Sequence, residues 1–190
     1  GCEVEDFDGI PIVSLNESPI VGVNRVLKRL ADIVVSSLAI IFLSPLMIVL
    51  AILVRLGSRG PVFFSQERMS IGGKSFGMLK FRSMTADHGG DVELLTKKDD
   101  PRVTLIGKFM RRTSLDELPQ FFNVLKGDMS IVGPRPERTW VVEELKNKIP
   151  RYMLKHKVKA GITGWAQVTG WRGDTSLEKR IEYDLYYIKN

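Results

Sequence analysis

A mainly helical α/β protein, with a re-entrant membrane helical hairpin in front of a compact cytoplasmic domain, is the fold class that three stretches of the chain predict. Ile33 to Val54 holds 22 residues without a charge, with Ser44-Pro45 at its middle. Gly60 to Met84 alternates like two strands about a glycine turn, the small β-hairpin of the domain. Beyond residue 101 the apolar residues recur at helical spacing, and one of these helices is basic enough to lie in a membrane interface.

Residues 1–20 are acidic and turn-rich, and read as a linker or the tail of a domain further upstream. The first residue is Gly, so the chain reads as a piece of a longer protein. Residues 21–59 form the membrane-inserted segment. At ~1.5 Å per residue its uncharged run reaches roughly 33 Å, enough for a hydrocarbon core of ~30 Å. Arg25, Lys28 and Arg29 precede it; Arg55 and Arg59 follow it. Basic flanks stay on the cytoplasmic side, and here both flanks are basic. Pro45 removes a helical donor at mid-depth, so the helix should kink or break there. A hairpin entering and leaving by one face is favoured over a kinked spanning helix. Ser44 is a candidate partner for the carbonyl that Pro45 leaves free.

Residues 60–190 form the second unit. "PVFFSQERM" and "KSFGMLKFRSM" flank the turn "SIGG". Gly73-Lys74-Ser75 is not the end of a phosphate loop, because Arg68 stands where that loop needs glycine. Residues 85–101 read as an exposed loop. Arg102 to Arg112 reads as the basic amphipathic helix, with Val103, Ile106 and Met110 on one stripe and Leu105 and Phe109 beside it. The next helix is predicted to begin at Ser114, with Leu118, Phe121, Phe122 and Leu125 as its apolar face and Gly127 as its stop. Further helices are predicted over Glu137 to Lys148 and from Thr175-x-x-Glu178 onward. Glycine-punctuated loops and short strands lie between them.

The 190 residues carry a net charge of +6 and are 44% hydrophobic, so the chain is not disordered. The positive excess suits nucleic acid, anionic lipid or phosphorylated substrates. No nucleic-acid motif accompanies it, and the basic residues are spread among apolar faces. One cysteine and two histidines argue against a disulfide framework and a His/Cys zinc site.

Asp116 and Glu117 raise the question of function. Ser114 followed three residues later by Glu117 is a capping box, and acids in a first turn suit the helix dipole. Yet Lys108, Arg111, Arg112 and Lys126 crowd the pair, and Pro134-Arg135-Pro136 holds a cation on restricted backbone. A carboxylate surrounded by arginines and a divalent ion can attack a phosphorus atom whose charge those groups neutralise. Lys80 and Arg82 on an apparent strand read equally as a solvated face, and Asp184 as a helix-surface charge. Trp165 and Trp171 read as core or interfacial anchors. A non-catalytic basic membrane scaffold is the rival class, but lipid adhesion does not require the acid pair.

"KFRSM", "RRTSLDELPQFFNVLKGDMSIVGPRPE", "HKVKAGITGWAQVTGWRGD" and "EKRIEYDLYYI" together resemble the bacterial sugar transferases, the monotopic polyprenyl-phosphate phosphoglycosyl transferases. The likeness runs from about Leu27 to Asn190 and is nearest to the large exopolysaccharide-initiating members. It implies transfer of a sugar-1-phosphate from a nucleotide diphosphate sugar, UDP-glucose by likeness, to undecaprenyl phosphate, with release of UMP. Galactose-1-phosphate or an N-acetylhexosamine-1-phosphate are the alternatives. It implies Asp116 as the nucleophile, Glu117 tied to a magnesium ion (Mg2+), Arg135 on phosphate, and Lys80, Arg111 and Arg172 as further basic positions. It implies a re-entrant helix broken at Ser44-Pro45, on the cytoplasmic face of a bacterial inner membrane and in contact with anionic lipid. Oligomeric state is left open, a homo-oligomer included.

Overall fold

The computed structural model describes residues 4–7, 10–13, 22–85, 100–149, 152–173 and 175–189. The loop predicted over 85–101 falls mostly outside these residues. Strands β1 (Val4–Phe7) and β2 (Ile10–Val13) pair antiparallel, Val4 opposite Val13.

Helix α1 (Val23–Gly57) runs 35 residues with Pro45 inside it. The sequence leads one to expect a kink or a break at Ser44-Pro45; the structure shows helix on both sides and through it. Pro45 has no amide hydrogen to give to the carbonyl of Ile41, four residues back. Ser44 Oγ donates to that carbonyl at 2.8 Å, so the freed acceptor is satisfied within the helix. This is the role expected of Ser44, and it is one reason the turn survives the proline.

Helix α1 is long and apolar enough to cross a membrane, and only 17% of its most apolar stretch is buried. Its buried residues are Asp32, Ser36, Met47, Leu50 and Val54. At 3.6 residues per turn these fall within about 60° of one another, a single stripe. The stripe is fastened at both ends of the helix. Near the start, Arg29 donates through both terminal nitrogens to the carbonyls of Val124 and Leu125 at 2.6 Å each. Asp32 Oδ1 accepts from Ser130 Oγ at 3.1 Å and from the Ile131 amide at 2.9 Å. Near the end, Met47, Leu50 and Val54 close a core with Phe81 and Met110. Arg82, only 7% exposed, donates to the carbonyls of Ser58 and Arg59 at 2.7 Å each, just past the helix. Arg82 is therefore a cap for the end of α1 and not part of a solvated face.

Strands β3 (Phe63–Met69) and β4 (Ser75–Phe81) form the expected antiparallel hairpin, Phe63 opposite Phe81, around a 3-10 turn at Ile71–Gly73. Gly72 and Gly73 take φ of 66° and 72°, the left-handed region where a side chain is disfavoured.

Helix α2 (Leu105–Thr113) starts three residues later than the sequence suggests, because Thr104 caps it by accepting from the Gly107 amide. Asp100 takes up Arg102 instead, at 2.8 Å. Met110 is buried, while Leu105 and Phe109 remain 89% and 53% exposed, one turn apart on the outer face.

The largest departure follows α2. Ser114 does not begin a helix. It ends α2 in a left-handed conformation, φ 59°, the only described non-glycine residue with positive φ. A 3-10 turn covers Leu115–Glu117, and α3 (Gln120–Lys126) starts after Pro119. The capping box is not made: neither Ser114 nor Glu117 caps through its side chain. The inner face of α3 is Gln120, Asn123 and Val124, whereas Phe122 of the predicted apolar stripe is 40% exposed. Leu118 of that stripe still packs against the core of Met47, Phe81 and Met110, and Asn123 explains why Phe122 is turned outward. Its amide accepts from the Leu79 amide at 2.9 Å and donates to the Gly77 carbonyl at 2.8 Å, pairing α3 with strand β4 as another strand would. Gly127 stops α3 as predicted, with φ 97°.

Strands β5 (Ser130–Val132) and β6 (Gly161–Thr163) pair parallel across the sequence gap that holds α4 (Thr139–Leu145). Gly161 is required there: a Cβ on it would sit 2.2 Å from the Gly133 amide nitrogen. A short helix α5 (Trp165–Val168) and α6 (Leu177–Lys189) complete the chain. Ser176 rather than Thr175 accepts from the Lys179 amide at the start of α6. Ile181, Asp184 and Ile188 are the buried residues of α6, so Asp184 is not a surface charge.

Candidate active site

Asp116 and Glu117 stand on the 3-10 turn between α2 and α3, with β4 on one side and the loop after β5 on the other. Lys80, the penultimate residue of β4, reaches Glu117 Oε1 at 2.8 Å; Arg135, from the loop, reaches the same oxygen at 2.9 Å. Arg111, in the last turn of α2, donates to Ser83 Oγ at 2.8 Å and acts electrostatically on Asp116. Arg172 donates to Ser114 Oγ at 2.9 Å, which gives the strained Ser114 a role in the site. All four basic residues expected from the sequence therefore converge on one turn. Ser44 and Pro45 stay on α1, with no role at the acid pair.

Two connections missed by the sequence reading hold the cations in place. Asn123 fixes β4, and with it Lys80, to α3. The end of β5 that leads into the Pro-Arg-Pro loop is tied to α1 and α6: Lys28 Nζ and Tyr187 Oη both donate to the Val132 carbonyl, at 3.0 and 3.1 Å. Arg68 adds a hydrogen bond to the Pro136 carbonyl at 3.3 Å. None of these left a signal in sequence spacing, because each joins residues more than 40 positions apart.

The two acids are driven in opposite directions. Burial raises the Asp116 carboxyl above the ordinary aspartate range and the neighbouring Glu117 charge adds to this, against Lys80 and Arg111. Burial alone would also raise Glu117, but Arg135 and Lys80 outweigh it and hold that carboxyl at about 2. Glu117 is thus a fixed anion with its Oε1 already engaged, and Asp116 is a buried carboxylate with less stabilisation of its charge. A poorly stabilised anion is the better nucleophile of the two.

Arg135 is 30% exposed at its side chain, so part of its fork is open to a ligand. Arg135→Lys is expected to lower turnover roughly 10- to 100-fold with the charge retained, since lysine cannot hold two phosphate oxygens in one plane. Steady-state rates and donor KM for the lysine variant check this; wild-type values would show that charge alone suffices.

A magnesium ion fits the donor set. Among the described residues no group of three or more acids, histidines or cysteines gathers to form a closed protein cage. Mg2+ seldom uses such a cage; it takes one or two carboxylates and completes its shell with substrate phosphate and water. Glu117 is the residue that would hold it, which leaves Asp116 to attack.

An acid pair among four cations, on a domain fastened along an apolar helix, makes a site suited to an anionic ligand. Residues 23–190 match the family described as bacterial sugar transferase, and the chain belongs to that family. It is 53% identical over 189 residues to a UDP-glucose:undecaprenyl-phosphate glucose-1-phosphate transferase of Klebsiella pneumoniae, covering 97% of this chain and 41% of that protein. The protein of that same description from Escherichia coli K12 is 50% identical over 190 residues, covering 98% of this chain and 41% of the relative. A UDP-N-acetylgalactosamine-undecaprenyl-phosphate N-acetylgalactosaminephosphotransferase of Aeromonas hydrophila is 46% identical over 179 residues, covering 93% and 42%. The chain thus spans about two fifths of the length of these relatives.

Proposed function

We propose that the protein transfers a sugar-1-phosphate from a UDP-sugar to undecaprenyl phosphate and releases UMP, as the first step of an exopolysaccharide or capsule. The observation that carries this reading is the burial of Asp116 beside Glu117 with Lys80, Arg111, Arg135 and Arg172 around them. In the first step Asp116 Oδ attacks the phosphorus that bears the sugar. An Asp–O–P bond forms, the bridging P–O bond breaks, and the electron pair leaves with UMP. In the second step a phosphate oxygen of the lipid attacks the same phosphorus and Asp116 departs as carboxylate. Arg135 and Arg172 are placed to hold the phosphoryl oxygens, and Lys80 keeps Glu117 in position. Bound Mg2+ would supply charge neutralisation on the pyrophosphate. Glucose is favoured by the Klebsiella and Escherichia relatives; galactose and the N-acetylhexosamines are the alternatives, the Aeromonas relative speaking for the latter.

Exchange of labelled UMP into UDP-glucose without any lipid acceptor tests the covalent step. A two-step enzyme supports it. Its absence in a preparation that still makes lipid-linked sugar would mean direct transfer.

The fastening of α1 supports a helix that enters and leaves by the cytoplasmic face of the inner membrane. The helix is tied to the catalytic domain at Lys28–Asp32 and again at Met47–Val54, points ~39 Å apart at their extremes if the helix is straight. A simple spanning helix touches such a domain near one end only. Lipid is as apolar as Met47 or Leu50, so apolar packing alone would not hold the helix there; the polar ties of Lys28, Arg29 and Asp32 do. Exposed Leu105 and Phe109, with Lys108 and Arg112 nearby, suit the headgroup layer of an anionic bilayer. With single cysteines at positions 22 and 58 in a Cys2→Ser background, both should resist an impermeant thiol reagent on intact cells. Labelling of one alone would establish a spanning helix. Replacing Pro45 by Leu should expose one site in a fraction of molecules and lower activity.

A further inference from the structure

Beyond the Pro-Arg-Pro loop lies a second group of buried charges that the transfer chemistry does not use. Lys155 Nζ is 3.9 Å from Glu137 Oε1 and 3.6 Å from Asp184 Oδ2, and Arg180 Nη1 is 3.5 Å from Glu137 Oε1. Lys155 and Asp184 are 3% and 2% exposed. At 3.6 Å the ammonium offsets the charge of Asp184 as a long, weak partner. No other donor reaches Asp184 Oδ2, and buried Gln167 Oε1 is likewise without one. A buried acceptor left unpaired is costly, and one beside a buried carboxylate whose partner is distant calls for a ligand that brings donors.

Both residues line a cavity of about 180 Å³, together with Trp171 and Arg180, and the cavity includes Arg135 and Arg172 of the acid-pair site. That is more than ten times the ~10–15 Å³ that one water needs by the same measure, so the cavity has room for a ligand larger than a single water. A phosphate has no hydrogens for Asp184 and would meet its charge. Uracil offers a single N–H donor. A sugar ring carries several hydroxyl donors and an apolar face that suits an indole.

We propose that this cavity receives the hexosyl ring of the donor and selects the sugar, with Asp184 and Gln167 accepting from its hydroxyls and Trp171 against its face. The inference rests on the transfer reaction proposed above and adds the residues that discriminate among UDP-sugars. Arg135 and Arg172 then bridge the sugar cavity and the acid pair, where the phosphoryl group must lie.

The test uses the full chain in vesicles of anionic phospholipid containing undecaprenyl phosphate, with UDP-glucose, UDP-galactose and UDP-N-acetylglucosamine as donors. Asp184→Asn and Gln167→Leu are each expected to lower kcat/KM for the preferred donor about tenfold or more and to change the ranking of the three. The inhibition constant of UMP should stay at its wild-type value. Because Asp184 is part of a buried ionic group, Gln167→Leu and Trp171→Phe, which lie outside that group, carry the test if Asp184→Asn does not fold. UMP affinity falling in step with donor affinity would place the nucleoside in the cavity and overturn the inference. Unchanged efficiency and ranking in both Gln167→Leu and Trp171→Phe would overturn it too, leaving a cavity filled by water. A wild type that uses no nucleotide sugar would bring down the transfer reading itself, a result distinct from an active wild type whose variants keep its ranking.

Discussion

Asp116→Asn is expected to abolish both lipid-linked product and the UMP exchange reaction, while the protein still folds and stays with the membrane. Asparagine fills the same space at a position only 8% exposed. It removes a charge that burial already disfavours and that Glu117 repels, so stability should hold or rise slightly. What is lost is the attacking oxygen, and no neighbouring group can replace it on this turn. Labelled UDP-sugar followed by denaturing gel separation reads the covalent intermediate directly: a band in wild type, none in the variant. Substantial exchange by the asparagine variant would mean that Asp116 only shapes the turn. The wild-type pH profile adds an independent reading. The nucleophile must be ionised, and burial raises its pKa above the ordinary aspartate value. Activity should therefore fall as pH drops through that raised value, above the range where an exposed aspartate protonates. An acid limb at or below the ordinary aspartate value would contradict the assignment.

Glu117→Gln is expected to cost both activity and stability, and in that respect it differs from Asp116→Asn. Glu117 is the shared partner of Lys80 and Arg135. Removing its charge leaves two partly buried cations facing each other. Breaking a fully buried pair costs about 3–5 kcal/mol; with Arg135 still 30% exposed, a loss of about 2 kcal/mol is the better expectation. Turnover should fall at least ~100-fold, since an electrostatic element at the reacting phosphorus is lost together with the position of Arg135. A magnesium titration separates the two roles. Partial recovery at raised Mg2+ would mark Glu117 as a metal-holding residue. Recovery on Lys80→Met, with no response to the ion, would instead show that Glu117 matters mainly by neutralising its cations. A thermal midpoint equal to that of wild type would refute the structural half of this expectation.

Features that depend on near neighbours could be read from the residues alone. The apolar run of α1, the loss of a donor at Pro45 and its repair by Ser44, the hairpin about Gly72-Gly73, and the glycine stop at Gly127 are all set within a few residues. The acid pair flanked by arginines and the Pro-Arg-Pro segment stand out by type and spacing as candidates, while their roles, and Lys80 and Arg172, come from the likeness to the sugar transferases. Their arrangement was not legible. Spacing suggested a capping box at Ser114; the fold instead puts Ser114 in a left-handed turn and gives Glu117 to Lys80, 37 residues earlier, and Arg135, 18 residues later. Periodicity pointed Phe122 of α3 inward; Asn123 takes the inner position instead by bonding to β4. Asp184, read as a surface charge, lies buried against Lys155, and the parallel pairing of β5 with β6 left no trace in either strand. A helical or strand period reports only which side of an element is apolar. Which side is buried, and which charges meet, depends on partners that tertiary packing supplies. Around this acid pair the decisive partners are hydrogen bonds and ion pairs, whose geometry no hydrophobic pattern encodes.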